Sequence, residues 1–366
     1  MKILEIITPT NIGGAENYVV NLSKKLIEKG HEVHIITGNN EEFKEMLTNN
    51  KLSYDVINAR FKFDFFSILK ITKLIKKYNI EIIHTNLSRA NFMGAAAGSI
   101  TGVKSVATAH GINKKRQYNL SKDVICVSKA VYLNLKSQNF PEEKLHVIYS
   151  GIDVDKFNPN NYKKKYIENT DGDLRKKDIS GEDTINIGMV SRLSGEKGVS
   201  IFLDSADLIL QKTKNVRFFI AGAGKLKDVL MEQTLKLNID NYVYFIGFID
   251  KNLAVFLNEL DILVFPSLKE GLPLSLIEAM SMEKAVIVSK AGGMPEVVEN
   301  GISGFVVDIG DSIAIKDRVL ELIKDKKSIV KYGAEARKTV LEKFNLDLMT
   351  DNTIKLFKEI LEKNKY

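Results

Sequence analysis

Two glutamates eight residues apart, Glu270 and Glu278, lie in the segment PSLKEGLPLSLIEAMSMEKAVIVS. Glu270 falls in a loop between an apolar strand and a helix, and Glu278 stands about one turn into the helix that Pro273 opens. Leu276, Ile277, Ala279 and Met280 surround Glu278 in sequence, so its carboxylate sits on a largely apolar helix and needs a hydrogen-bonding partner. Ribose hydroxyls are one such partner; an internal arginine or a backbone donor is another. Upstream, SRLSGEKG (191–198) ends an apolar strand and places Arg192 and Lys197 at the mouth of a helix. Two cations beside helix N–H groups can clamp a diphosphate. Taken alone, the same loop reads equally well as a solvated basic turn.

Gly13 and Gly14 follow the first strand and open the first helix, where free N–H groups can meet a phosphate. No third glycine completes a dinucleotide fingerprint, and a plain strand–helix turn uses the same residues. His110 ends a strand and is followed by Gly111, at the carboxyl edge where open α/β sheets bind ligands. His31, His34, His84 and His146 read as structural. The stretch AGAGK (221–225) is a decoy: a phosphate-binding P-loop needs glycine at 219, which is Phe219. Asp153/Asp155 and Asp171/Asp173 bring no third oxygen ligand, so no metal site is expected.

These residues need elements to position them. Apolar runs KILEII (2–7), EVHIIT, EIIHT (81–85), KSVATAH (104–110), DVICVS (123–128) and HVIYSG (146–151) read as buried strands. Helical patterns intervene, including one with Ala15, Val19, Leu22 and Leu26 on one face that ends at Gly30, and others over 63–78, 88–101 and 129–138. After a polar stretch over 158–184 the rhythm restarts, with strands at 185–191, 216–222, 242–247, 261–267, 284–289 and 304–308. Helices fit at 197–212, 225–238, 252–259, 273–283 and 311–324. The expectation is α/β: two Rossmann-like parallel-sheet domains, 1–160 and 185–345, with a ligand cleft between them. The tail from 327 is helical, with a break near Phe344 and Asn345.

The chain has 366 residues, 44 % hydrophobic and 27 % charged, enough for two cored domains. No stretch approaches the roughly eighteen apolar residues that span a bilayer, and MKILEIITPT lacks a signal peptide's pattern. A cytoplasmic protein is expected. The single cysteine, Cys126, excludes a disulfide framework and reads as a buried thiol. The net charge of +7 divides into +9 over residues 1–180 and −2 over 181–366. The first half therefore suits something anionic. Neither zinc-finger spacing nor an arginine-rich arm points to nucleic acid, which leaves an anionic membrane surface or a phosphorylated substrate. A lysine-rich composition overall is the plain alternative.

Taken in order, the motifs IGGAE (12–16), TAHG (108–111), VSKA (127–130), SGIDVDKF (150–157), SRLSGEKG, EGLPLSLIE and GGMPEVVENGISGFVV resemble glycosyltransferase family 4 from residue 3 to about 310. The resemblance implies a GT-B architecture whose last helix, 346–366, crosses back to the first domain. It implies a retaining, metal-independent transfer from a nucleoside diphosphate sugar, UDP- or GDP-linked, with no further cofactor. By motif match, Glu278 would hold the donor ribose and Glu270 the donor sugar. Arg192 and Lys197 would neutralise the diphosphate, helped by the Gly13–Gly14 backbone. His110 would lie beside the sugar, and the backbone of Gly271, Leu272 and Pro273 would contact sugar and phosphates. Without a metal, fixed cations and N–H dipoles must stabilise the leaving group. A covalent carboxylate intermediate and same-face attack within an ion pair both remain open.

The acceptor would meet the basic first domain. In FDFFSILKITKLIKKYN (63–79), Phe65, Phe66, Leu69 and Ile75 alternate with Lys70, Lys73, Lys76 and Lys77. This composition suits either an interfacial helix or an ordinary helix packed on the sheet. With Lys114, Lys115 and Arg116 near the cleft edge, it points to a glycan or lipid-linked acceptor at the inner membrane face. Lipopolysaccharide, O-antigen and capsule are candidate products. The alternatives are another enzyme on this architecture, such as a nucleotide-sugar epimerase or a glycan phosphorylase, and a non-catalytic nucleotide-sugar-binding protein. No pyridoxal phosphate lysine site is identifiable for the phosphorylase.

Overall fold

The computed structural model describes residues 1–58, 64–162, 184–249 and 252–363. The chain divides into two compact units, Met1–Ile152 with Phe344–Tyr366, and Asp153–Lys343.

The first unit runs β1 (Lys2–Ile7), α1 (Gly14–Glu28), β2 (Glu32–Thr37), α2 (Glu41–Asn49), β3 (Tyr54–Val56), α3 (Phe65–Lys77), β4 (Ile82–Asn86), α4 (Ser88–Thr101), β5 (Lys104–Ala109), β6 (Asp123–Cys126), α5 (Lys129–Ser137) and β7 (Leu145–Val147). The strands pair in parallel in the order β3-β2-β1-β4-β5-β6-β7. The near-continuous apolar runs follow from helices covering both faces. On one face Ile3, Ile7, Ile82 and Val106 pack with Val19, Leu22 and Leu26 of α1. On the other, Leu4, Ile6 and Ile83 meet Ile68, Ile71 and Ile75 of α3 and Ala90, Met93 and Ala97 of α4.

The second unit runs β8 (Ile185–Val190), α6 (Val199–Leu210), β9 (Val216–Ala221), α7 (Lys227–Lys236), β10 (Val243–Gly247), α8 (Leu253–Asn258), β11 (Ile262–Phe265), α9 (Leu274–Ser281), β12 (Ala285–Ser289), α10 (Met294–Val297), β13 (Phe305–Val307), α11 (Ser312–Lys324) and α12 (Lys326–Lys343). Its sheet is also parallel, in the order β10-β9-β8-β11-β12-β13. The last helix, α13 (Leu346–Glu362), belongs to the first unit. There Phe357 and Ile360 join the α1 core, and Lys25 and Lys29 pair with Asp347 and Asp351 at 3.3 and 2.8 Å.

The break between α12 and α13 falls where the sequence placed it. Asn345 caps α13 by accepting from the Leu348 amide at 2.8 Å. The passage between units lies earlier than residue 160. Ile152 is tied to the first unit by its amide bond to the Phe344 carbonyl at 3.0 Å and its carbonyl bond from the Leu346 amide at 2.9 Å. The Phe157 carbonyl already belongs to the second unit, accepting from Ser281 Oγ at 2.7 Å and Arg337 Nη1 at 2.9 Å. Most of the expected linker, 163–183, lies outside the described residues.

Three elements had no clear counterpart in the apolar pattern, among them the single-turn α10. Helix α2 buries only Phe43 and Leu47, and β3 is a three-residue edge strand. Helix α3 splits the residues grouped together above. Ile75 is buried, whereas Phe65 and Phe66 are 60 % and 83 % exposed, and Leu69, Lys70, Lys73, Lys76 and Lys77 share that outer face. Among the described residues, no helix is long and apolar enough to cross a membrane.

Candidate active site

In the second sheet the chain reverses its direction of growth between β8 and β11, the topological switch point at which open α/β sheets bind ligands. Lys197 comes from the loop after β8 and Glu270 from the loop after β11. Their side chains meet, with Lys197 Nζ 2.6 Å from Glu270 Oε1 and both largely buried. Ser267 Oγ donates to the same oxygen at 2.8 Å, and Ser289 Oγ donates to the Ser267 carbonyl. The loops touch through backbone. The Leu268 amide bonds the Glu196 carbonyl at 2.8 Å, and the Gly293 amide bonds the Gly271 carbonyl at 3.0 Å. Glycine is required at two of these contacts. A Cβ on Gly198 (φ +68°) would collide with the Pro266 carbonyl, and one on Gly292 (φ +53°) with the Glu270 carbonyl.

Helix α9 begins directly after Pro273, as its sequence predicted, and Gly271 and Leu272 are buried beneath the turn. One turn into α9, Glu278 is half-buried, and its sequence neighbours Leu276, Ile277, Ala279 and Met280 are buried. Among the described residues its carboxylate makes no hydrogen bond or ion pair. Burial pushes its pKa up to about 7, with a weaker opposing pull from Lys156. The site thus holds one carboxylate bonded through a single oxygen, Glu270 Oε1, and one, Glu278, without a partner among the described residues.

Arg192 does not join Lys197. It lies on the surface, with Nη2 2.6 Å from Glu196 Oε1 in an exposed pair four residues apart within the loop after β8. Such a pair contributes little stability and leaves the guanidinium able to exchange partners. The AGAGK loop does not form a P-loop but packs beside SRLSGEKG, where the Leu193 amide bonds the Ala223 carbonyl at 2.9 Å. Asp153 closes its own turn, accepting from the Asp155 and Lys156 amides at 3.1 and 3.0 Å. Asp171 and Asp173 lie outside the described residues. Among the described residues, no group of three or more His, Cys, Asp or Glu side chains is arranged to hold a metal.

The switch point of the first sheet lies between β1 and β4. Gly13 caps α1 there in extended backbone, and a Cβ on it would meet only Glu16 Oε2, at 3.5 Å. The protein's own packing therefore does not require glycine at 13. His110 follows β5, half-buried, with Nε2 2.8 Å from Asn86 Oδ1 and its ring edge-on to Tyr18 at 4.9 Å. Desolvation, helped by nearby His84, depresses its pKa to about 3. Lys114 and Arg116 are exposed just beyond it. Cys126 is buried, its thiol pushed up to about 12, as suits a packing residue.

Sequence reasoning missed the polar chain behind His110. Glu5, His84, Asn86 and Thr108 are all buried. His84 Nδ1 lies 2.8 Å from Glu5 Oε1 and its Nε2 lies 2.6 Å from Thr108 Oγ1. Asn86 Nδ2 donates to Glu5 Oε2 at 3.1 Å. The available signal was Glu5 itself, a carboxylate inside the apolar strand KILEII.

Two parallel α/β units, the second with a lysine–glutamate pair at its switch point and a carboxylate that has no partner among the described residues, define a protein of GT-B architecture. The comparisons make the assignment specific. The family profile "Glycosyltransferase Family 4" matches residues 12–156, and "Glycosyl transferases group 1" matches 171–339. The chain is 25 % identical to a capsular polysaccharide biosynthesis glycosyltransferase of Staphylococcus aureus, covering 93 % of each chain. It is 26 % identical to the Escherichia coli UDP-Gal:alpha-D-GlcNAc-diphosphoundecaprenol alpha-1,3-galactosyltransferase, covering 80 % of this chain and 79 % of that one. A crystal structure of a glycosyltransferase from Rickettsia africae matches with TM-score 0.85 at 25 % identity, covering 99 % of both chains. An Anabaena protein in complex with UDP and glucose shares the fold at TM-score 0.85 and 22 % identity, covering 98 % of this chain and 99 % of that one. This chain belongs to glycosyltransferase family 4, and it is a glycosyltransferase.

Proposed function

We propose that the protein transfers a sugar, with retention of anomeric configuration and without a metal, from a UDP- or GDP-sugar to a glycan or lipid-linked acceptor in envelope polysaccharide synthesis. The observation that carries this reading is Glu278, a half-buried carboxylate on an apolar helix at a switch point, with no partner among the described residues. Two adjacent ribose hydroxyls supply the donors it lacks. Lys197 keeps ammonium hydrogens beyond the one directed at Glu270, and these bind the diphosphate with Arg192 once it leaves Glu196. The backbone of Gly271, Leu272 and Pro273 bounds the same loop edge, and Glu270 Oε2 is left to receive a sugar hydroxyl. In the first unit, Gly13 and Gly14 give a phosphate access to the start of α1, and His110 accepts from a sugar hydroxyl.

As the C1–O bond breaks, its electron pair leaves with the diphosphate, where Lys197 and Arg192 balance the growing negative charge. The acceptor oxygen bonds C1 from the departing face and gives up its proton to the leaving phosphate oxygen. Two donors, Lys197 and Ser267, already hold Glu270 Oε1, which supports a hydrogen-bonding role over nucleophilic attack. The nucleotide-sugar donor finds support in the Anabaena complex with UDP and glucose. A lipid-linked acceptor finds support in the Escherichia coli relative's diphosphoundecaprenol substrate. The outer face of α3, with Phe65, Phe66 and Leu69 beside four lysines, suits peripheral docking on an anionic membrane.

The test is a panel of UDP-, GDP- and ADP-sugars assayed for binding and slow hydrolysis in excess EDTA, with the released anomer read by NMR. Hydrolysis of one donor to the sugar with unchanged configuration supports the proposal. Failure to bind any donor, inversion, or activity lost to EDTA and restored by magnesium or manganese contradicts it.

A further inference from the structure

Glu5, His84, Asn86, Thr108 and His110 occupy one face of β1, β4 and β5 and the turn after β5. The register pairs Glu5 with His84 and Asn86 with Thr108. Around them the layer is apolar: Ile3, Ile7, Ile82 and Val106 lie on the same face, and Phe357 of α13 packs its ring against His84 at 5.5 Å. Burying a carboxylate, an imidazole and an amide there is costly unless each is bonded, and here each is. The chain also leaves Asn86 through Leu87 at φ +73° and ψ 151°, a conformation that bulky residues rarely adopt. Packing alone does not account for a polar column that runs from the core to the ligand-binding edge of the sheet.

The bonding pattern has a direction. Glu5 accepts at both oxygens, from His84 at one and from the Asn86 amide nitrogen at the other. That fixes the Asn86 side chain, since its NH2 end must face the carboxylate. Its carbonyl end then faces His110 Nε2 at 2.8 Å, and a carbonyl can only accept. We propose that Glu5 and Asn86 are positioning residues that hold His110 as the tautomer protonated on Nε2, so that its Nδ1 is a hydrogen-bond acceptor for a sugar hydroxyl. Selectivity follows: at that nitrogen the ring favours a hydroxyl donor and offers nothing to a carbonyl or phosphate oxygen. The sugar contact rests on the proposed function, whereas the tautomer does not.

Long-range 1H–15N correlation spectra of the full chain labelled at histidine test the proposal, with the His110 signals assigned by their loss in His110→Gln. At pH 7 His110 should show a proton on Nε2 and none on Nδ1. Asn86→Ala should bring in the other tautomer and lower donor kcat/KM by about tenfold or more. Should Asn86→Ala not fold, Glu5→Gln gives the same readout, because a glutamine can present either end to Asn86 and frees its amide to turn. A wild-type His110 protonated on Nδ1, or on both nitrogens, overturns the proposal. So does a folded Asn86→Ala protein that keeps a single Nε2-protonated form. A correct tautomer in a protein that binds no nucleotide sugar would uphold the positioning and refute the proposed function instead.

Discussion

Replacing Glu278 with glutamine should stabilise the protein while damaging donor use. Burial moves this carboxyl from its ordinary 4.5 to about 7, so the folded chain keeps a proton that the unfolded chain has released. The sign follows from linkage. The stability it contributes is fully present below pH 4.5, declines as pH rises, and is gone above about 7. Each pH unit of that displacement is worth about 1.4 kcal/mol, which sets a ceiling of about 3 kcal/mol. The side chain is only half-buried, and solvent screening brings the expected gain to roughly 1–3 kcal/mol at pH 8. An unpaired carboxylate is replaced by a neutral amide of the same shape, so little packing is lost. For a unit of this size that is a rise of about 2–4 °C in Tm per kcal/mol. Calorimetry of wild type and Glu278→Gln from pH 4 to 9 should show near-equal Tm at the acid end and a gap that opens toward neutral pH, then levels. A gap independent of pH, or a variant less stable than wild type at pH 8, would refute the reasoning.

Three further outcomes are expected. Lys197→Ala leaves Glu270 charged and largely buried with Ser267 as its remaining donor, and should cost about 3–5 kcal/mol in denaturant unfolding; the double variant Lys197→Ala/Glu270→Ala should cost less than the sum of the singles. His110, depressed to about 3, stays neutral where the unfolded chain takes a proton below 6.5, so its contribution is present above 6.5 and lost as pH falls toward 3. Subtracting the stability profile of His110→Gln from that of wild type should isolate this decline. Liposome co-sedimentation should require anionic headgroups and weaken steeply with salt, and Lys73→Glu/Lys76→Glu/Lys77→Glu should abolish it with donor hydrolysis intact; equal binding to neutral vesicles would count against the α3 surface.

Much of this architecture could be read from residue order alone, for physical reasons. Parallel strands covered on both faces are apolar throughout, so β1, β4, β5, β8, β11 and β12 stood out, and the cap Asn345 marked the last helix break. What stayed hidden depends on long-range contacts. Helix α2 has too short an apolar stripe to betray itself, and β3 is defined by its pairing with β2. Glu270 and Lys197 were each placed where a strand passes into a helix, but 73 residues separate them and their ion pair could not be inferred from spacing. The same holds for Arg192, grouped with Lys197 by proximity in sequence and drawn to Glu196 in the fold. The Glu5–Asn86–His110 chain joins residues of β1, β4 and the turn after β5; Glu5 and His110 each stood out singly, but only the register brings them together through Asn86.

The central claim is that Glu278 holds the donor ribose, and a double-mutant cycle tests it most directly. Charge-assisted bonds from two hydroxyls are worth about 1.5–3 kcal/mol each, so Glu278→Ala should lower donor kcat/KM about 10- to 100-fold or more. Wild type and Glu278→Ala are then compared with the natural donor and with one lacking the ribose 2′-hydroxyl. Wild type should discriminate strongly between the two donors and the variant much less, the coupling expected of groups in contact. Equal discrimination by both proteins would show that Glu278 does not touch the ribose, and the account of the donor site would fail at its centre.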